Sequence, residues 1–276
     1  MIIVSVARNL EMYERLVKNN KFNRAAGAHF CLFDNNEENI GIAARYNSFL
    51  DAFDYRQSEW LVFCHEDWEV QEAWGKKLEK LDPGCLYGVI GTAVSFKPPR
   101  CDVAIWGRIR QSRKDGSERT SFGRRTFGLK EVGTFDCQCL IVHSTLVEKY
   151  HLRFDETFQF DFYAEDFCIN ARENFNIPSY VLPLKCQHYS FGTLGASYFA
   201  ALDYAKSKWL RAREGYGNTC GYELIGKGAA EKWRFKKKFD PLAFVCGCFW
   251  QRKKRRDGSE VFKILRIPVW RRKGHA

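Results

Sequence analysis

The sequence predicts an α/β fold, with a mostly parallel central sheet covered by helices on both faces. Three observations predict it. Short apolar runs alternate with segments of helical periodicity through the amino-terminal third of the chain. The runs are continuously apolar rather than alternating, as expected of strands buried on both faces. Polar turn residues close them at their carboxyl ends, where ligands bind in sheets of this kind. The chain has 276 residues, 45% of them hydrophobic and 16% aromatic, which suits a sizeable core and excludes a disordered or fibrous protein.

Ile2 to Val6 reads as a buried strand, followed by a helix from Asn9 to Val17 with Asn9 as its cap. His29 to Phe33 is a second strand, ended by Asp34-Asn35-Asn36. Ile40 to Phe53 has helical spacing, with Ile42, Tyr46, Phe49, Leu50 and Phe53 on one face. Glu59 to Cys64 is a third strand that runs into His65-Glu66-Asp67-Trp68. Val70 to Leu81 reads as a helix and Cys85 to Ala93 as a fourth strand. Residues 97–130, polar and rich in Gly and Arg, read as a long loop or a small hairpin insertion, a kind of segment that is often functional. Val132 to His143 resumes strand character, then a short helix covers Thr145 to Tyr150. Ala164 to Phe175 is a strong helix, Tyr180 to Tyr189 a strand carrying His188, and Ser197 to Glu214 a helix.

The net charge of +11 is unevenly placed. Residues 227–276 hold 16 Lys/Arg against 4 Asp/Glu, whereas residues 1–226 hold 28 against 29. The sequence thus divides into a near-neutral body, 1–226, and a basic, aromatic-rich extension, 227–276. The neutral body has no nucleic-acid motif and no second basic face, so nucleic acid is not an expected partner. In the extension an apolar stretch, Leu242 to Trp250, sits between two cation clusters. It is too short to span a bilayer and suits the interface of an anionic membrane. The opening residues lack the features of an export signal, and the 11 cysteines are an odd number, which together predict reduced thiols in a cytosol. The pairs Cys137/Cys139 and Cys246/Cys248 lack the spacing of zinc modules.

Four clusters carry candidate chemistry, each with an ordinary structural explanation beside it. The acids after the third strand can hold a divalent cation, and through it a diphosphate, or can simply be a solvated strand end. Glu165-Asp166 can include a general base, or can serve only the helix dipole. His188 can offer a nitrogen to a metal or can be a satisfied structural residue. Asp34 can meet a nucleotide or can merely form a turn.

Their order along the chain is more telling. The segments VSVARN (4–9), GIAARYNSFLDA (41–52), EWLVFCHEDWEV (59–70), VGTFDCQCLIVH (132–143), RFDETFQFDFYAEDFCINAR (153–172) and CQHYSFGT (186–193) together resemble the nucleotide-diphospho-sugar glycosyltransferases of the GT-A fold. They are most similar to inverting family 2, and within it to a bacterial subgroup with H-x-D in place of D-x-D. The resemblance implies that Ala7, Arg8, Asn9 and Asp34 contact the nucleotide, with Asn47, His65, Glu66, Asp136 and Arg172 also on the donor side. It implies that Asp67 and His188 hold Mn2+ or Mg2+ on the diphosphate, Asp136 lines the sugar pocket, Asp166 is the base, and Glu165 supports the acceptor. Because His65-Glu66-Asp67 replaces D-x-D, only one of the two usual aspartates is present, and Glu66 points away from its neighbours if the strand continues. The expected activity is transfer of a sugar from a nucleotide-sugar donor to a glycan or lipid-linked acceptor of the bacterial surface, such as lipopolysaccharide or capsule. The expected location is the cytoplasm, peripheral at the inner membrane face. The rivals are a non-catalytic nucleotide-sugar or glycan-binding module and a nucleotidyltransferase. The absence of a Gly-rich phosphate loop after the first strand counts against the latter.

Overall fold

A computed structural model describes residues 1–97, 100–117, 119–191, 194–220, 223–229, 234–235, 251–254, 260–264 and 267–272. Strand β1 (Ile2–Ala7) leads into α1 (Leu10–Tyr13), which continues as a π-helical turn (Glu14–Lys18), and then α2 (Lys21–Ala25). Next come β2 (His29–Asp34), α3 (Ile42–Ala52), β3 (Trp60–Cys64), β4 (Trp68–Val70), α4 (Gly75–Leu78), β5 (Leu86–Gly88), β6 (Gly91–Lys97), β7 (Arg100–Trp106), β8 (Ile109–Gln111) and β9 (Thr120–Phe122). The body continues with β10 (Lys130–Val132), β11 (Thr134–Phe135), β12 (Cys139–His143), α5 (Ser144–Tyr150), α6 (Tyr163–Phe175), β13 (Ser179–Val181), β14 (Cys186–His188), α7 (Ala196–Lys208), β15 (Gly215–Gly217) and β16 (Leu224–Gly226).

The expected α/β class holds. A seven-stranded sheet has the order β10-β13-β5-β12-β3-β1-β2. Parallel pairing joins β1 to β2 and β3, and β13 to β5, while β12 and β10 run against their neighbours. Five strands therefore share one direction. Side chains alternate across the sheet and feed two cores. Val4, Val6, Leu61, Phe63, Leu140 and Val142 pack under α3, α5, α6 and α7, with Phe63 4.7 Å from Tyr46 and 5.3 Å from Phe154 between ring centres. Ile3, Val62, Cys64 and Ile141 face the other way, onto Met12, Leu16, Trp68 and Trp74.

Four sequence expectations are corrected. Val70 to Leu81 is not one helix: Trp68–Val70 pairs antiparallel with β14, and only Gly75–Leu78 is helical. Cys85 to Ala93 is interrupted between Gly88 and Gly91, so β5 joins the large sheet and β6 pairs with β7. Tyr180 to Tyr189 likewise splits into β13 and β14, which belong to different sheets. Residues 97–130 form the expected hairpin insertion rather than a long loop. They contribute β7, and β8 and β9 join β4 and β14 in a small sheet of order β4-β14-β8-β9. Gly107 and Gly123 make the chain reversals there, with φ of +91° and +82°, and a Cβ on Gly123 would overlap the Gly107 carbonyl. The last helix is also shorter than expected, ending at Lys208.

The chain forms two compact units, Met1–Arg234 and Phe235–Ala276. The second contains a three-stranded antiparallel sheet of Gln251–Lys254, Glu260–Ile264 and Ile267–Arg272. Residues 242–250, the segment read as interfacial, lie outside the described residues. Among the described residues no helix is long and apolar enough to cross a membrane. None of the nine described cysteines forms a disulfide.

Candidate active site

The strand β3 is apolar until Cys64 and then opens into three adjacent polar residues with three different surroundings. Glu66 turns outward, and its carboxylate accepts the backbone N–H groups of Arg8 (2.7 Å) and Asn9 (3.1 Å). Asn9 in turn caps α1 by accepting the Met12 N–H at 3.0 Å. Asp67 turns inward, where its Oδ1 stands 3.2 Å from His188 Nε2 and 3.9 Å from His65 Nδ1. His65, Asp67 and His188 offer ligand atoms that all lie within 4.8 Å of one another.

Two features test whether this trio suits a cation. Asp67 Oδ1 and both ring nitrogens of His188 are buried and, despite their proximity, make no well-aligned hydrogen bond. Buried polar atoms are rarely left so, and a cation would satisfy Asp67 Oδ1 and one ring nitrogen of His188. The tautomer of His65 follows from counting protons. The Tyr163 hydroxyl is 2.8 Å from the Cys137 carbonyl, which can only accept, so its single proton goes there. The same oxygen is 2.7 Å from His65 Nε2 and must therefore accept a proton from it. The Nδ1 lone pair of His65 is left on the side of Asp67. Burial lowers the His65 pKa, which keeps the ring neutral. Burial alone would raise Asp67, but His188 and then His65 outweigh it and hold that carboxyl down at about 2. Burial opposes the charge on His188, and Asp67 beside it wins and raises its pKa. The donor set of two imidazoles and a carboxylate fits a divalent transition metal better than Mg2+.

A cavity of about 410 Å³ opens over the trio, and Asp136 and Glu165 also line it. Asp136 accepts from the backbone and side chain of Gln138 (3.2 and 3.1 Å) and from the Thr219 hydroxyl. Glu165, 5% exposed, sits in the first turn of α6. Burial, and then the negative charge of Asp136, push its carboxyl up to about 8, while the Cys137 thiol donates to Oε2 at 3.2 Å. The residue that precedes α6, Phe162, is a non-glycine residue with φ 64°, and its ring lies 5.1 Å from that of Tyr198 on α7.

Asp166 is adjacent to Glu165 but about 100° round the helix, and it is not on the cavity wall. It faces α7, where Lys208 Nζ approaches its two oxygens at 2.8 and 2.9 Å and Trp209 Nε1 donates at 2.7 Å. Asn47 is likewise outside the cavity. Its amide bonds both the N–H and the carbonyl of Phe154 (2.9 Å each) and Glu156 (2.8 Å), holding the segment before α6. Arg172 pairs with Glu131 (3.0 Å) and Glu214 (3.2 Å), away from the cavity. Ala7 is buried at the end of β1, level with Asp34 on β2, and Asp34 accepts from Asn36 in a tight turn. Arg8 is exposed beside them.

Of the residues singled out from sequence, His65, Asp67, Asp136, Glu165 and His188 converge on one cavity. Ala7, Arg8, Asn9, Asp34 and Glu66 mark the neighbouring strand ends. Tyr163, Cys137 and Thr219 were not foreseen. Tyr163 looks from sequence like a core aromatic, and Thr219 lies far along the chain with nothing to mark it.

No family model matches the chain, and no curated protein is similar to it in sequence. Among solved structures, the chain is similar to a crystal structure of GalNAc-T7 with UDP, GalNAc and Mn2+, with a TM-score of 0.45 and 9% identity. That likeness covers 70% of this chain and 44% of the other, and is too distant to carry a functional argument.

Proposed function

We propose that this chain is a metal-assisted, inverting glycosyltransferase that moves a sugar from a nucleotide-diphosphate donor to a hydroxyl of a glycan or lipid-linked acceptor. The observation that carries the reading is the meeting of His65, Asp67 and His188 with a separate buried carboxylate, Glu165, in one cavity beside the ends of the central strands. A divalent cation held by the trio would neutralise charge developing on the leaving diphosphate. The loop of Ala7, Arg8 and Asn9, fixed by Glu66, and the neighbouring Asp34 would receive the nucleotide. Asp136 would orient the sugar. Glu165 takes the proton from the acceptor hydroxyl as that oxygen attacks the anomeric carbon from the face opposite the diphosphate. Its pKa of about 8 is close to an ordinary working pH, which favours a base. Asp166, the choice from sequence, is instead assigned to joining α6 to α7, because Lys208 and Trp209 already occupy its oxygens. We assign the basic extension to an anionic membrane surface at the cytoplasmic face, and the product to bacterial surface polysaccharide.

Donor turnover with Mn2+ tests the reading, because a module that only binds releases no nucleoside diphosphate. Glu165→Gln is expected to lower the transfer rate roughly 10²–10⁴-fold with donor binding retained. Retention of more than about a tenth of the rate would remove Glu165 as the base. A comparable loss in Asp166→Asn, with folding and donor binding intact, would return the role to Asp166.

A further inference from the structure

The small sheet has a second working face. Arg110 and Gln111 are consecutive in β8, as are Ser121 and Phe122 in β9, so in each pair the side chains leave the sheet on opposite sides. Gln111 and Phe122 line the cavity described above, whereas Arg110 and Ser121 line a separate hollow of about 680 Å³. Five cations edge this hollow: Lys77, Arg108, Arg110, Arg125 and Lys185. The sole acid on the wall among the described residues, Glu72, is already engaged by Lys77 Nζ (2.8 Å) and the Lys185 backbone N–H (3.0 Å). Arg108, Arg110, Arg125 and Lys185 make no ion pair among the described residues. At the rim Phe127 is 94% exposed, with the Arg125 guanidinium 5.8 Å from its ring centre.

We propose that this groove binds an acidic glycan. Guanidinium groups match carboxylates and phosphates two bonds at a time. An exposed aromatic ring offers an apolar surface to the C–H face of a sugar ring. The combination of cations with one bare ring suits a charged carbohydrate better than a free anion, which would leave Phe127 unused. On the glycosyltransferase reading, which this proposal rests on, the groove holds the body of an acidic acceptor while its terminal hydroxyl reacts elsewhere. The Gly- and Arg-rich insertion is then the part of the fold that selects the acceptor.

The test uses the full chain and a fluorescent heparin octasaccharide as probe, with malto-octaose and a single-stranded DNA octamer as comparators. The heparin fragment is expected to bind, and more weakly as salt rises. The triple variant Arg108→Gln/Arg110→Gln/Arg125→Gln should weaken it roughly tenfold or more, from the loss of three exposed charge contacts. A charge-matched control, Lys18→Gln/Lys21→Gln/Arg24→Gln, at three cations that do not line the groove, should not. Phe127→Ala should weaken heparin severalfold. Equal loss in the two triple variants, tighter binding of malto-octaose, or tighter binding of the DNA octamer would each overturn the proposal. UDP binding with Mn2+, measured in parallel, separates the two readings. Heparin binding that depends on the three arginines without any UDP binding keeps the groove and sinks the glycosyltransferase. UDP binding with heparin affinity unmoved in the triple variant does the reverse.

Discussion

Replacing Tyr163 with Phe removes one oxygen and no carbon, yet it is expected to weaken the cation site. The hydroxyl accepts from His65 Nε2 at 2.7 Å and donates to the Cys137 carbonyl at 2.8 Å. It thereby fixes both the proton position and the ring orientation of His65. Without it the imidazole is free to place its proton on Nδ1, the nitrogen nearest Asp67, and to rotate. Loss of an outer partner of a metal-binding histidine typically costs 10–100-fold in affinity, or about 1.4–2.7 kcal/mol. The tautomer equilibrium alone accounts for about 0.4 kcal/mol of this if the two forms become equal, so most of the effect must come from orientation. The assay is titration of the apo chain with Mn2+, followed by electron paramagnetic resonance of the free ion, with His65→Ala as the reference for complete loss of the ligand. A Tyr163→Phe variant that binds Mn2+ as tightly as the parent refutes the proton count, and with it the inclusion of His65 in the trio.

Further outcomes follow from other contacts. The Glu165 carboxyl is raised from 4.5 to about 8 in the fold, so below pH 4.5 both states are protonated and there is no penalty, and the penalty grows until the pH passes about 8. Glu165→Gln should therefore stabilise the protein at pH 9 by at most about 5 kcal/mol and have little effect at pH 4, as read by urea denaturation at the two pH values. Cys137→Ala removes the thiol that bonds Glu165 and should move the acid-side inflection of the transfer rate to higher pH, which a pH–rate profile reads directly. Asn47→Ala strands the buried N–H and carbonyl of Phe154 and should cost about 2–3 kcal/mol in the same denaturation assay. Asp166→Asn leaves Lys208 with Asp155 as its remaining carboxylate and should lower stability by roughly 1–3 kcal/mol, whatever it does to turnover.

The elements legible in the sequence are those whose pattern is local. β1, β3 and α3 were readable because their burial repeats within a few residues, and Asn9 because a cap is a short-range device. The insertion at 97–130 was legible as a hairpin, since β8 and β9 pair locally, but its attachment to β14 was not, because nothing inside a Gly- and Arg-rich run announces a partner so far along the chain. The helix expected at Val70 to Leu81 failed for the same reason: pairing of Val70 with Cys186 outweighs a helical pattern. In the site, residue types were readable and directions were not. Glu165 and Asp166 are neighbours in sequence, and only the packing of α7 decides which one meets the cavity. Asn47 and Arg172 have the chemistry of ligand-binding residues, and the fold spends it on Phe154, Glu131 and Glu214.

The tripeptide after β3 serves two parts of the molecule. Glu66 holds the loop at Arg8 and Asn9 through two hydrogen bonds, while His65 and Asp67 face the candidate cation position, and the charge of Glu66 is the weakest of the influences on His65. Substitution at that middle position would change the Arg8–Asn9 loop far more than the trio. On the proposed function, single substitutions there would vary how the nucleotide is received while the residues offered to a cation stay in place.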